Sequence, residues 1–162
     1  LNPLDILRAS GGTDVEIPTI ELSSTAWVDS LYLCAGFEDR AFILETGATV
    51  LFVATGLDAT LPKKSNDASQ VLGVAIDNVR GEAQRRLDAA KAISARVVMT
   101  YRLYLDSDPS SPAERPMVMD VLSFSAKGPT IELQGGYFSL INSSWPRFRY
   151  TTDFSPGIKY LT

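Results

Sequence analysis

Apolar and polar positions alternate most regularly from Ala95 to Leu105, where Val97, Met99, Tyr101, Leu103 and Leu105 point one way and Arg96, Val98, Thr100, Arg102 and Tyr104 the other. A period of two over that length predicts a long strand. "AWVDSLYLCAG" likewise sets Trp27, Leu31 and Leu33 on one face against Val28, Tyr32 and Cys34 on the other, so both faces have something to cover. "RAFILET" and "TVLFVATG", separated by Gly47 and Ala48, predict a tight hairpin. "MVMDVLSFSA" is extended and turns through Lys127-Gly128-Pro129 into "TIELQGGYFSL". The acidic, Pro/Ser-bearing "DSDPSSPAERP" before it predicts a hairpin tip that projects beyond the body. "DVEIPTIELSS" is β-branched, but Pro18 cannot donate to a ladder and places this strand at an edge. "LDATLPKKSNDASQ" is polar and turn-rich and predicts a loop.

The period changes inside "VLGVAIDNVRGEAQRRLDAA". An alternating run from Val71 passes through Asp77-Asn78 into a helix over about Val79 to Ile93, with Val79, Ala83, Leu87 and Ala90 on one stripe. Asn78 suits the N-cap, and Glu82 can pair with Arg85 or Arg86. A strand feeding a helix is where many nucleotide-binding folds grip phosphate, but the turn offers only Gly81 and the chain holds no glycine-rich phosphate motif. A shorter helix is predicted at the front, with Asn2 as cap, Pro3 at the first helical position and Gly11-Gly12 as the stop. The segment from Ser143 to Thr162 has no clear period but carries Trp145, Phe148, Tyr150, Phe154 and Tyr160, and needs a surface to lie on. The expected architecture is mainly β (β+α), a single domain over 1–162. It is an antiparallel barrel or sandwich with one principal flanking helix and a short N-terminal helix, and 143–162 forms an extended C-terminal arm.

Composition narrows the chemistry. The net charge is −4 and the isoelectric point about 4.8, which argues against a large phosphate-gripping surface. There is no histidine, and Cys34 is the only cysteine. The chain therefore closes no internal disulfide, makes no Cys/His zinc site and has no imidazole base. Cys34, in the apolar "SLYLCAGF", reads as a core residue. No cofactor or metal is expected. Carboxylates could still perform acid/base work, and Glu38, Asp39 and Glu132 are candidates by residue type alone. No run approaches the ~18 to 20 apolar residues of a membrane span and no signal peptide is evident, so a soluble protein made in the cytoplasm is expected.

The order "YLCAGFEDRAFILETGATVLFVATGLDATLP", "VLGVAIDNVRGEAQRRLDAA", "VVMTYRLYLDSDPSSP" and "RFRYTTDFSPGIKYL" resembles a family of small tailed-bacteriophage proteins of otherwise unknown function. In layout it is similar to the N-terminal hub domain of lambda-type minor tail protein L. The resemblance implies a tail-tube-like fold, two antiparallel sheets forming a barrel flanked by a helix and assembled as a ring, trimer or hexamer, at the tail tip. It implies a structural virion protein, not an enzyme, synthesised in the bacterial host cytoplasm. Its neighbours would be distal tail, hub and tape measure proteins, with DNA passing transiently and without specific binding. Lambda-type proteins continue into a cysteine-rich region associated with an iron–sulfur cluster; no cluster ligand carries over to a chain with Cys34 alone. The subunit interface is expected to use the basic helix, with Arg80, Arg85 and Arg86, against the acidic loop, with Asp106, Asp108 and Glu114. The arm's Trp145, Phe148, Tyr150, Phe154 and Tyr160 would serve as anchors. The alternatives are a carboxylate-dependent cell-wall hydrolase and a ligand-binding β-barrel with the aromatic segment as a lid.

Overall fold

The computed structural model describes residues 14–60, 71–77 and 81–137, with Ala9 alone before them. Among these residues the chain is mainly β. Its elements are β1 (Glu16–Ser24), β2 (Leu31–Ala35), β3 (Arg40–Ile43), β4 (Thr49–Thr55), β5 (Leu57–Thr60), β6 (Val71–Asp77), α1 (Glu82–Ala92), β7 (Val97–Leu105), β8 (Met117–Lys127) and β9 (Thr130–Gly136). The strands form one mixed sheet in the order β3-β4-β2-β1-β7-β8-β9-β6-β5. The predicted N-terminal helix and the 143–162 arm lie outside the described residues, Ala9 excepted.

The double alternation of β7 explains the two cores. Val97, Met99, Tyr101, Leu103 and Leu105 join Ile20, Leu22, Leu31, Leu33, Leu72, Val74, Ile76, Ile131 and Leu133 in the main core, where α1 adds Ala83, Leu87 and Ala90. Tyr104, on the other face of β7, joins Ile17, Cys34, Phe42 and Phe52 in a second core. That cluster is aromatic at its centre: Phe42 stacks on Tyr104 with ring centroids 4.4 Å apart, and Phe52 meets Phe42 edge-on at 5.4 Å. The β3–β4 hairpin thus covers one face of the central strands, and α1 the other. Each buried Leu, Ile or Phe side chain contributes about 1.5–3 kcal/mol of transfer free energy, so each layer is held by several such terms.

Both predicted hairpins form, β3 with β4 and β7 with β8, and β8 turns back onto β9. Leu44 and Gly47 close the β3–β4 turn, the Leu44 N–H donating to the Ala48 carbonyl at 2.9 Å and the Gly47 N–H to the Leu44 carbonyl at 2.8 Å. Gly47 takes φ 80°, which an L side chain rarely adopts. Lys127 and Thr130 pair across Gly128-Pro129.

Other expectations change. The ladder is not wholly antiparallel, because β4 returns antiparallel to β3 and is inserted beside β2, making β2 and β4 parallel. Strand β1 is internal, between β2 and β7. Pro18 stands opposite Leu103 in the ladder with β7 but before the ladder with β2, which starts at Thr19, so it has a strand on one side only. Leu57–Thr60, read as loop, forms β5 on β6. Helix α1 begins at Glu82 with Gly81 as its N-cap at φ 66° and without a side-chain cap bond. Asn78 and Val79 lie outside the described residues. The 106–116 loop does not project. The Asp106 N–H donates to the Val15 carbonyl at 3.0 Å, the Ile43 N–H to the Pro109 carbonyl at 3.1 Å and the Ala113 N–H to the Leu103 carbonyl at 2.7 Å, folding the loop back onto the sheet.

Candidate functional site

Strands β4 and β5 are separated by a single residue, Gly56, yet they pair with strands that stand far apart in the sheet order. β4 lies against β2 and β5 against β6. The Asp77 N–H donates to the Gly56 carbonyl at 2.9 Å, which fixes the bend. The diverging strands leave a cleft of about 580 Å³ between the end of β2 and the first turn of α1. Leu31, Leu33, Val53, Leu57 and Ile76 supply its apolar lining. Phe37 stands at its mouth, fully exposed at the tip of the β2–β3 connection.

The polar groups of the cleft are few and acidic: Asp77, Glu82 and the Thr55 hydroxyl. Thr55 donates through Oγ1 to the Asp77 carbonyl at 2.9 Å, and Thr130 through Oγ1 to Asp77 Oδ1 at 3.3 Å. Glu82 Oε1 accepts from Arg86 at 2.6 Å. An apolar cavity of this size with a carboxylate rim suits a small ligand or a few inserted side chains of cationic, apolar character. Among the described residues lining it the one side-chain hydroxyl, that of Thr55, is committed to the Asp77 backbone carbonyl. Among the described residues no group of three acidic, cysteine or histidine side chains is placed to hold a metal ion, and no helix is long and apolar enough to cross a membrane.

A second polar cluster stands beside the aromatic core. Arg102, 7% exposed, donates through Nη1 to Glu21 Oε2 at 2.8 Å, and through Nε and Nη2 to the two oxygens of Glu45 at 2.8 and 3.2 Å. Burial by itself would raise the Glu45 carboxyl, but the hydrogen bonds and charge of Arg102 outweigh it and hold Glu45 below its ordinary value. Burial would also lower the Arg102 guanidinium, and its two carboxylates reverse that. Tyr104, desolvated beside this cluster, is pushed up to about 12 and donates to the Ile43 carbonyl at 2.9 Å. Glu45 belongs to the β3–β4 turn, so the cluster clamps the covering hairpin to β1 and β7. Its geometry is that of a structural clamp.

The residues singled out by sequence are scattered. Arg85 is exposed on α1. Arg86 is engaged within the fold, its Nη1 donating to the Asp29 carbonyl at 2.7 Å and its own carbonyl accepting from Trp27 Nε1 at 2.9 Å. Asp106 pairs with Arg40. Asp108 caps its own turn through Ser110, which lowers its pKa. Glu114 is exposed. Arg80, Trp145, Phe148, Tyr150, Phe154 and Tyr160 lie outside the described residues. The three carboxylate candidates do not converge as a pair: Asp39 accepts the Ala54 N–H at 2.8 Å, Glu132 binds Lys127 at 2.8 Å, and Glu38 is exposed. Cys34 is fully buried, as expected, and burial pushes its thiol up. The cleft residues were missed. Gly56 between two short apolar runs was the available signal, since a lone glycine in a strand pattern marks a bend.

A family model, described as a domain of unknown function (DUF1833), matches residues 3–150. No curated protein matches the chain.

Proposed function

The chain belongs to this family, and we propose that it is a structural component of a bacteriophage tail tip, forming a ring below the tail tube that connects the tube to distal tip proteins and lets DNA pass. The observation that carries the reading is the bent strand. β4 and β5 run on through Gly56 while pairing near opposite ends of the sheet order, and this supports reading the sheet as curling toward a barrel-like wall. Helix α1 lies against its apolar face. The resemblance to tail-tube-like hub domains implies a barrel flanked by a helix; a mainly β chain with one helix on its sheet is in keeping with that, while the single mixed sheet departs from the two antiparallel sheets it implies. An acidic chain suits a conduit for a polyanion, since it does not trap what passes. The ion cluster of Arg102 with Glu21 and Glu45 holds the covering hairpin to the sheet, as a structural subunit requires.

Light scattering and native mass spectrometry on the purified chain test the proposal, with a trimer or hexamer expected at high concentration. A chain that stays monomeric throughout, or a virion reconstruction with no density for it in the tail, would refute it. One observation favours a second reading: the apolar cleft would also serve a free-standing ligand-binding barrel. A monomer that retains a small apolar ligand through purification would support that instead.

A further inference from the structure

We propose that the cleft at Gly56 is the socket for residues 145–150 of a second copy of this chain, so that the ring closes by arm-into-cleft contacts. The inference rests on the ring reading and names the surfaces that build it.

The first ground is chemical complementarity. Residues 145–150 read Trp-Pro-Arg-Phe-Arg-Tyr, in which Phe148 and Tyr150 alternate with Arg147 and Arg149 and Trp145 precedes them across Pro146. The wider segment from Ser143 to Thr162 carries Arg147, Arg149 and Lys159 against Asp153 alone, a basic stretch in an acidic protein. The cleft offers the converse: an apolar lining of Leu31, Leu33, Val53, Leu57 and Ile76, with Asp77 and Glu82 at the rim. An extended Phe-Arg-Tyr places Phe148 and Tyr150 on one side and Arg149 on the other. The rings then enter the lining while guanidinium groups meet the carboxylates. Aromatic and arginine side chains together are the types that dominate interface energies. The family match also runs to residue 150 and so takes in this hexapeptide.

The second ground is where the arm starts. Strand β9 runs antiparallel to β6, with Thr130 opposite Asp77 and Gly136 opposite Val71. The cleft is at the Asp77 end, whereas the chain leaves β9 at the Val71 end. Six residues of strand separate the two, about 20 Å. The chain that leads to the donor segment thus leaves the wall at the end opposite the acceptor site, which suits a heterologous contact between copies. Such a contact repeated from copy to copy gives a ring when the rotation closes. A self-complementary patch would stop at a dimer.

The test uses the full chain. Leu57→Glu charges the lining at a half-exposed position, and Phe37→Ser alters the mouth at a fully exposed residue whose loss leaves folding intact. Trp145→Ser/Phe148→Ser disables the arm. Each variant alone is expected to associate on the order of tenfold more weakly or worse, with an unchanged melting temperature for Phe37→Ser. Mixing the Leu57→Glu chain, which keeps its arm, with the arm variant, which keeps its cleft, leaves one competent junction per pair and is expected to give heterodimers and nothing larger. With Trp27→Phe, Trp145 becomes the sole tryptophan, and its emission is expected to move to the blue as concentration rises through the assembly range.

If the wild-type chain forms its ring and the cleft and arm variants form it equally well, the socket assignment is wrong while the ring stands. Variants that fail singly but give no heterodimer on mixing also overturn the assignment. A wild-type chain monomeric at every concentration removes the ring itself. Trp145 emission that is blue-shifted independently of concentration places the segment in its own chain's cleft and overturns the exchange between copies.

Discussion

Replacing Arg102 with methionine probes the clamp that joins the covering hairpin to the sheet. The methionine keeps much of the stem's apolar volume but removes three hydrogen bonds, one of 2.8 Å to Glu21 and two of 2.8 and 3.2 Å to Glu45. Losing one partner of a fully buried ion pair costs about 3–5 kcal/mol because the other charge is stranded. The exposure of the partners reduces that figure. Glu21 is 17% exposed and remains nearly stranded, whereas Glu45 is 41% exposed and its share approaches the 0–1 kcal/mol of a surface pair. The expected loss is about 2–3 kcal/mol on those two bounds. For a chain of this length that corresponds to a fall in melting temperature of roughly 5–10 °C. Urea unfolding at neutral pH should show a lower midpoint with an unchanged slope. Changing Glu21 and Glu45 to glutamine as well should recover most of the loss, since no buried charge is then left alone. A single Arg102→Met variant within about 0.5 kcal/mol of wild type, the range of an inert surface change, would refute the reasoning.

The same clamp has a pH signature whose sign is fixed. Glu45 is held below its ordinary value of 4.5 in the folded chain, so the unfolded chain takes up its proton first as pH falls. Its contribution is complete above about pH 4.5 and is lost as pH drops through the lower folded value. The wild-type chain should therefore lose more stability than Arg102→Met over that acid window.

Three further outcomes are expected. Ile76→Asp should unfold the chain or lower its stability by several kcal/mol in thermal melts, because Ile76 is 1% exposed and an unpaired carboxylate there has no partner. Cys34, fully buried with its thiol pushed up by burial, should resist iodoacetamide in the native state and react once unfolded, as read by intact mass. Gly56→Val should destabilise by about 1–3 kcal/mol in urea melts, since a Cβ there would overlap the Asp77 carboxylate.

The parts of the fold legible in sequence are those fixed by local pattern. Val97 to Leu105 has residues of both alternating sets buried, Val98 alone being half-buried. Gly47 and Gly128-Pro129 end their strands where turn chemistry requires. The misreadings have a common physical origin in pairing partners distant along the chain. Pro18 suggests an edge only if the strand's register is unknown; once β2 pairs from Thr19 onward, the missing donor falls beyond that ladder. Acidity and prolines in 106–116 suggest a solvated tip, but the Ile43 and Ala113 N–H groups find carbonyls that turn the loop inward. Arg86 reads as surface charge, yet Glu82 and the Asp29 carbonyl hold it against the β1–β2 connection.

Gly56 shows why the site was harder to see than the fold. Four residues of β5 make too short a run to announce a strand, and the polar stretch after it looks like the rest of a loop. The chain nevertheless continues from β4 into β5 with one residue between, and that residue leaves room for the Asp77 carboxylate beside its backbone. The bend assigns β4 to β2 and β5 to β6. Apolar residues of β2, β4, β5 and β6 around it line the cleft. In the proposed ring, closure of each subunit's wall and the socket that receives the next subunit therefore follow from the same bend. A substitution at Gly56 that spares folding but straightens the strand should weaken assembly more than stability, a separation that neither periodicity nor composition along the chain could have foretold.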